Sequence, residues 1–539
     1  MATGERLRRS TELLTLIVVC SFLFLAGVQS VGLLGADEPR YAQVAREMLQ
    51  RHDWVTPTLW GKPWLEKPPL YYWMAELAYK AAGGVHDWAA RMPSVVLTTL
   101  MVFFIYFWAR RFYRGMQLDA ALITAGSVMV IGFSRGASMD MPLTATFSIA
   151  MLSWFAWYIQ RNRLWLLGFY FALALATLAK GPVAVFFAAV IIGIFIGLRR
   201  EWRLLANTLW LPGVLLFLVT ALPWYIAVQR ANPEFFRAFI LQQNLARYTS
   251  DLYRHAQPFW FYVPVVLLGL VPWVAFAVVA VVDSVRGWRS SIAEVSREAH
   301  LQTFLAIWFL FPILFFSFSR SKLPGYVLPC IPAATILLAD FIRRREDAGE
   351  KPPLWLILLH GALAAVLLIG AFILPFKVLH LKLPVNVLII AALLAVCALA
   401  LFTATLLSRG YRVLRFTTLV PIVIAFALVL RGTAPIIDAL QSARPVQASL
   451  QVTALGQIPE IAVYDVPRGI EFGLGFYRNH FVANYGRDEI PDKTHVVVAA
   501  SGTQKELEFR VPQRRITRIG GWEPQHLDFY LVAAKHPEP

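Results

Sequence analysis

Thirteen apolar runs, most of them long enough to cross a hydrocarbon core as helices, dominate this chain of 539 residues. In lipid every backbone polar group must be satisfied by the protein itself. A helix does so within one segment, so a polytopic α-helical membrane protein is the expected fold. The runs cover roughly 12–34, 92–109, 118–133, 141–159, 164–179, 182–198, 206–228, 259–281, 302–319, 325–342, 354–375, 385–407 and 414–431. Arginines cluster in alternate loops: Arg110, Arg111 and Arg114; Arg161 and Arg163; Arg199, Arg200 and Arg203; Arg286 and Arg289; Arg343 to Arg345; Arg409, Arg412 and Arg415. All these loops fall on the side of the N-terminus. The positive-inside rule therefore puts the N-terminus in the cytoplasm and, with an odd number of spans, the C-terminus outside.

The formal charge of +17 is accounted for by these loops. Nucleic-acid binding needs one continuous basic face, and none is visible. Cys20, Cys330 and Cys397 lie in or beside apolar runs without a CxxC or Cys/His cluster, which argues against a disulfide framework or a cysteine-based zinc site. The first run follows Arg6, Arg8 and Arg9 as a signal peptide would, but the many spans downstream favour an uncleaved helix.

Residues 1–431 thus read as a transmembrane domain, within which 35–91 form an external loop. That loop carries seven acidic and seven basic residues, unlike the arginine-rich loops opposite. Residues 38 to 50 read as a short helix with Tyr41, Val44, Ala45, Met48 and Leu49 on one side. Pro68-Pro69 opens a second helix with an aromatic face. Both helices suit the outer membrane surface. Residues 432–539 form a small external α/β domain, with strands expected around Val463, Val496 to Val498 and Phe529 to Val532; Phe472 to Tyr477 fit a helix or a strand.

Ionisable residues gather at the external loop edges: Asp37, Glu38, Arg40, Lys62, Glu66, Lys67, Arg135, Asp140, Lys180, Arg254, His255, Arg320 and Lys322. Charges beside the hydrocarbon boundary need partners, water or a charged ligand. Any one arginine is explained by snorkelling to headgroups, whereas the set points to a shared external cavity. For a sugar joined to a lipid phosphate, the leaving group needs fixed positive charge more than a proton. Lys67 and Arg254 suit that task, with Arg320 and Lys322 behind them. An acceptor hydroxyl would need a general base such as Asp37; an acceptor phosphate would not, leaving Asp37 to orient the acceptor or bind an amino group on the donor. Asp140 is either a structural partner of nearby Arg135 or an acceptor-positioning group. Glu66 and His255 could supply two ligands of a zinc site or be ordinary hydrogen-bonded side chains. The stretch Ser319 to Tyr326 is a hairpin whose donors and ring could hold a lipid phosphate.

Five motifs in order resemble the aminoarabinose transferase family, membrane glycosyltransferases of the C superfamily related to protein O-mannosyltransferases. They are Asp37-Glu38-Pro39-Arg40-Tyr41, Trp60-Gly61-Lys62-Pro63-Trp64-Leu65-Glu66-Lys67-Pro68-Pro69-Leu70, Leu178-Ala179-Lys180-Gly181-Pro182, Pro258-Phe259-Trp260-Phe261-Tyr262 and Ser321 to Cys330. The resemblance implies about thirteen transmembrane helices, external juxtamembrane helices and a small C-terminal periplasmic domain. It implies a bacterial inner-membrane enzyme that moves 4-amino-4-deoxy-L-arabinose from undecaprenyl phosphate to lipid A phosphate on the periplasmic side, giving polymyxin resistance. A monomer among membrane lipids and no organic cofactor are expected. Asp37 matches the main catalytic aspartate, Lys67 the donor-phosphate contact, Asp140 a second acidic position, and Glu66 with His255 a zinc pair. Glu38, Arg40, Tyr41, Lys62, Arg135, Lys180, Arg254, Arg320, Lys322 and Tyr326 are the expected substrate contacts. Where relatives carry a histidine before an Arg-Phe pair, this chain has Asn244 before Arg247-Tyr248, a departure that bears on the metal site.

Three further readings compete. The same machinery could use another sugar, or a protein or other envelope-glycan acceptor. A transporter or flippase would instead place ion sites near the midplane in repeated halves. A purely structural membrane protein would leave the external motif unexplained.

Overall fold

The computed structural model describes residues 2–246, 257–286, 296–379, 385–453 and 460–535. The basic head belongs to the first helix: α1 (Ala2–Cys20) starts ahead of the apolar run and passes into a π turn over Ser21–Leu25. The expected helix over 12–34 therefore stops short. The guanidinium of Arg91 takes the carbonyls of Val28 at 2.8 Å and Gly32 at 2.7 Å, acceptors that a continuing helix would use itself.

The loop over 35–91 then folds as expected into two helices, α2 (Asp37–Arg51) and α3 (Leu70–Ala81). Between them lies a hairpin, β1 (Thr58–Leu59) and β2 (Lys62–Pro63), closed by Trp60 and Gly61, both at positive φ. A two-residue turn of that kind matches the twist of its strands. Buried Glu47 accepts from both turn amides, at 2.7 and 3.1 Å, and from the Thr58 hydroxyl at 2.8 Å. Its carboxylate thus holds the turn that leads into Glu66 and Lys67.

The bundle continues with α4 (Asp87–Phe112), then α5 (Gln117–Ala125) and α6 (Val128–Ser134), which meet at a 63° bend. Next come α7 (Asp140–Gln160), α8 (Leu164–Lys180), α9 (Val183–Arg199), α10 (Arg203–Thr208) and α11 (Leu211–Ala231). The run expected to span over 259–281 is instead a sharp corner. Phe259–Gly269 and Val274–Arg286 cross at 119°, with Pro272 in the break. Each arm is too short to cross a core of about 30 Å alone. Behind it stand α12 (Arg297–Ser317), α13 (Ile331–Asp347), α14 (Leu354–Val378), α15 (Val385–Arg409) and α16 (Leu414–Leu428). Among the described residues seven helices are long and apolar enough to cross a membrane, or nine if each bent pair is one span. Leu164–Lys180 and Val183–Arg199 are apolar but shorter. The chain is a multi-pass membrane protein.

The C-terminal domain begins with α17 (Ala434–Gln441) and α18 (Ala443–Thr453). Strands β3 (Glu460–Tyr464), β4 (Ala483–Asn484), β5 (His495–Ala500), β6 (Ile516–Trp522) and β7 (Leu527–Val532) form one sheet in the order β4-β3-β5-β7-β6. β3 pairs in parallel with β4 and β5, and β7 antiparallel with β5 and β6. Alternation along the strands separates two cores: Ile461, Val463, Val496 and Val498 face α18, while Ala462, Val497 and Ala499 face the other side with Leu507. The stretch over Phe472 to Tyr477 is helical, α19 (Arg468–Arg478), and β4 and β6 are strands that the patterning did not single out.

Candidate active site

Helix ends decide where the site's charges stand. Asp37 is the first residue of α2 and Asp140 the first of α7, so both carboxylates sit where a helix favours negative charge. Lys180 is the last residue of α8, where a helix favours a cation. Gly181 at φ +97° stops that helix behind the lysine, and Val183 opens the next. The Ala-Lys-Gly-Pro motif is thus a device for holding an ammonium at a helix terminus.

These ends converge on one cavity of about 730 Å³. Asp37, Tyr41, Glu66, Lys67, Asp140, Lys180 and Tyr326 supply its polar wall. The rest is largely apolar and includes Phe133, Phe186, Phe187, Phe239, Phe315 and Phe316. Phe186 and Phe187 near the start of α9 meet Phe315 and Phe316 at the end of α12, with ring centres 5.2 to 5.5 Å apart. These phenylalanines and Gln243 were not singled out in the sequence. The doublets Phe186-Phe187 and Phe315-Phe316 were the available signal, hidden among other apolar residues.

Lys180 pairs with Asp140, and its ammonium also lies 5.0 Å from the centre of the Tyr326 ring. Asp140 is thus joined to Lys180 rather than to Arg135, the partner suggested by sequence proximity. Asp37 pairs with Arg40, yet keeps a side chain 60% exposed while that of Arg40 is 11% exposed. The guanidinium also donates to the Ala36 carbonyl at 2.9 Å and lies 5.2 Å from the rings of both Trp64 and Phe472. Tyr41 is packed edge-on against Tyr71 and Tyr72. Burial pushes its phenol well above the ordinary range, and the carboxylates of Asp37, Glu66 and Asp140 push the same way, so the hydroxyl keeps its proton.

Other expected contacts face elsewhere. Glu38 binds the Arg91 guanidinium at 2.7 Å and accepts from the amides of Leu34 and Ala137 at 2.9 and 2.8 Å. It ties the loop over 35–91 to the bundle and lies outside the cavity wall. Arg135 reaches back to the carbonyls of Leu23 and Phe24 and lies over the Phe426 ring, bracing the π turn after α1. Lys62 is exposed on the hairpin near Asp488 of the C-terminal domain. After α12 the expected hairpin is instead a short extended stretch leading into a 3-10 helix over Pro324–Cys330. Lys322, just ahead of it, is buried and donates to the Gln257 carbonyl at 2.9 Å, and burial lowers its ammonium below the usual lysine range. Arg320 is exposed and does not line the cavity. Arg254 and His255 lie outside the described residues.

Asn244 belongs to the π-helical turn Phe236–Ala246 that brings Phe239 and Gln243 to the cavity. No three His, Cys, Asp or Glu side chains among the described residues cluster as a metal ion requires. Glu66 shares the cavity with Asp37 and Asp140, but these donors do not by themselves make a zinc site.

Residues 66–226 match the family model described as dolichyl-phosphate-mannose-protein mannosyltransferase. An undecaprenyl phosphate-alpha-4-amino-4-deoxy-L-arabinose arabinosyl transferase of Pseudomonas paraeruginosa is 32% identical over 352 residues, 64% of this chain and 62% of that protein. The protein of the same description from Edwardsiella ictaluri is 29% identical, over 66% of this chain and 65% of its own length. The aligned part thus spans less than two thirds of these curated relatives. In three dimensions the likeness runs the full length. The crystal structure of ArnT from Cupriavidus metallidurans bound to undecaprenyl phosphate matches with a TM-score of 0.74 at 21% identity, covering 98% of this chain and 99% of that one. The Archaeoglobus fulgidus oligosaccharyltransferase in its apo form matches more distantly, with a TM-score of 0.51 at 13% identity over 93% of this chain and 70% of that one. The chain thus has the fold of the ArnT crystal structure, and over 64% of its length its sequence is similar to the arabinosyl transferases.

Proposed function

We propose that the chain is an inverting glycosyltransferase that moves 4-amino-4-deoxy-L-arabinose from undecaprenyl phosphate to a phosphate of lipid A. The observation that carries this reading is one cavity with paired charges on one wall and phenylalanines packed edge-on or tilted among the apolar residues of the others. The apolar wall suits a polyprenyl chain, and the charged wall suits its phosphate and sugar. Three carboxylates (Asp37, Glu66, Asp140) face two ammonium groups (Lys67, Lys180) across that wall. The carboxylate of Asp37, 60% exposed beside the Arg40 guanidinium, is placed to meet the cation of an amino sugar. The relatives named for aminoarabinose transfer support the same assignment.

In the reaction an oxygen of the acceptor phosphate attacks the anomeric carbon. The bond from that carbon to the donor phosphate oxygen breaks, and its electron pair leaves with undecaprenyl phosphate. Lys67 stabilises the charge gathering on the leaving phosphate, and Arg254 joins it in that role. The attacking phosphate is already anionic, so no base has to take a proton. Asp37 orients the sugar's amino group or the acceptor, and the Asp140–Lys180 pair fixes the far side of the wall. Glu66 with His255 remains the proposed pair for a divalent ion.

The site lies on the periplasmic side, with the N-terminus cytoplasmic, and the protein acts as a monomer. Added aminosugar lowers the negative charge of lipid A and so weakens its attraction for polymyxin and other cationic peptides. Mass analysis of lipid A from cells with and without the gene tests the assignment. The expected result is a pentosamine added to a lipid A phosphate, and its absence overturns the reading.

The match to the mannosyltransferase family over residues 66–226 favours a second reading: the same chemistry with another sugar or a protein hydroxyl. Asp37 would then have to serve as general base.

A further inference from the structure

Helix α19 of the C-terminal domain carries three glycines in seven residues, Gly469, Gly473 and Gly475, a costly composition for a helix interior. Each sits where another part of the chain comes too near for a side chain. A Cβ on Gly469 would stand 3.2 Å from the backbone of Gly35, two residues before Asp37. One on Gly473 would stand 2.5 Å from the Ala443 Cβ, and one on Gly475 2.6 Å from the Trp60 ring. The helix is thus seated on the loop that leads into α2 and on the turn that leads to Lys67.

Phe472 projects from the same helix. It is 9% exposed, and its ring lies 5.2 Å from the Arg40 guanidinium, with Arg468 at 5.4 Å. The contact with Arg40 joins the two domains. Arg46 of α2 makes a parallel one, donating to the Phe476 carbonyl and lying 4.2 Å from the Phe476 ring. A guanidinium held by two rings and by the Ala36 carbonyl has few other orientations, and what it offers Asp37 is a donor in one place.

We propose that Phe472 is a positioning residue of the transfer site: with Trp64 it fixes the Arg40 guanidinium, and Arg40 in turn fixes the Asp37 carboxylate. The proposal rests on the reading of the cavity as a glycosyl-transfer site. It gives the C-terminal domain a share in the geometry of a site whose cavity wall it does not itself line.

The test uses the full-length protein in detergent micelles, with undecaprenyl-phosphate-linked aminoarabinose and lipid A as substrates. Phe472→Leu keeps apolar bulk but removes the ring, and Phe472→Tyr keeps the ring. The expected result for Phe472→Leu is a loss of about tenfold in kcat, with KM for the donor within about twofold and an unchanged melting temperature, while Phe472→Tyr stays near wild type. In an Arg40→Lys background, Phe472→Leu is expected to cost less than about twofold more, because its effect passes through the guanidinium. Equal activity of the Leu and Tyr variants, or losses that multiply in the double variant, would overturn the proposal. Lys67→Ala, assayed alongside, separates the two levels. Full activity there defeats the transfer reading and this proposal with it. Loss at Lys67 with a fully active Phe472→Leu defeats only the role of Phe472.

Discussion

A Cβ on Gly325 would stand 2.8 Å from Cγ of Asp140, so the 3-10 helix between α12 and α13 rests directly on the carboxylate that pairs with Lys180. The next residue, Tyr326, presents its ring to the same lysine. The Pro-Gly-Tyr sequence is therefore more than a turn. Glycine lets the backbone approach the carboxylate, and tyrosine then meets the ammonium.

Gly325→Ala is expected to displace Asp140 or the 3-10 helix, since Phe133 closes the remaining space at 2.9 Å. Overpacking of this kind costs about 1–3 kcal/mol. If that strain falls on the Asp140–Lys180 pair, transfer drops by roughly 10- to 100-fold. A transfer assay on protein that remains monodisperse in detergent checks this. Wild-type activity would show that Asp140 does not need its present position.

The neighbours Asp37 and Glu38 predict opposite kinds of defect. Glu38 and Arg91 form a largely buried ion pair, and removing one partner of such a pair costs about 3–5 kcal/mol. Glu38→Ala is expected to lower the melting temperature and the yield of folded protein, while the KM of what survives stays within about twofold. A large change in KM at unchanged stability would instead make Glu38 a substrate contact.

That pair shows how far the sequence was legible. An acidic, basic and aromatic cluster between apolar runs stands out because charge beside lipid needs a reason, and it led to Asp37, Glu66, Lys67, Asp140 and Lys180. It did not separate Asp37 from Glu38, because their roles depend on Arg91 and Ala137, far along the chain. The same limit applies to Arg320 and Lys322, one exposed and one buried in the same short stretch. Hydropathy located apolar runs, of which seven to nine are helices fit to span among the described residues, but not the corner at Val271 to Trp273, since composition is the same on both sides of a bend. The helix over Arg468–Arg478 stayed ambiguous because its glycines answer to close contacts made elsewhere in the fold.

Asp37→Asn distinguishes the acceptors. A phosphate acceptor needs no proton removed, so the variant loses orientation only and retains transfer, at a level reduced by about tenfold. A hydroxyl acceptor needs the carboxylate as base, and transfer would then fall below detection. Rates of transfer by the purified variant, measured on the acceptor that the wild type uses, separate the two. Residual turnover supports the phosphate acceptor, and its complete loss favours the second reading.

The C-terminal domain should also weaken in mild acid through His495. This ring is fully buried on β5, with Nδ1 2.7 Å from the Lys493 carbonyl and Nε2 bonded to the Tyr485 hydroxyl. A neutral imidazole with its proton on Nδ1 satisfies both partners. Burial holds its pKa below the ordinary 6.5 and Arg514 pushes the same way, against the Lys493 carbonyl and Glu460. The unfolded chain therefore binds this proton more readily than the folded one. Stability is then full above about pH 6.5 and declines as the pH falls from there toward the folded pKa. Hydrogen exchange at the Val496 to Val498 amides, followed from pH 7.5 to 5.5 and corrected for intrinsic rates, is expected to show protection falling in wild type. In His495→Gln the protection should no longer depend on pH over that range, and a decline as steep as wild type would place the sensitivity elsewhere.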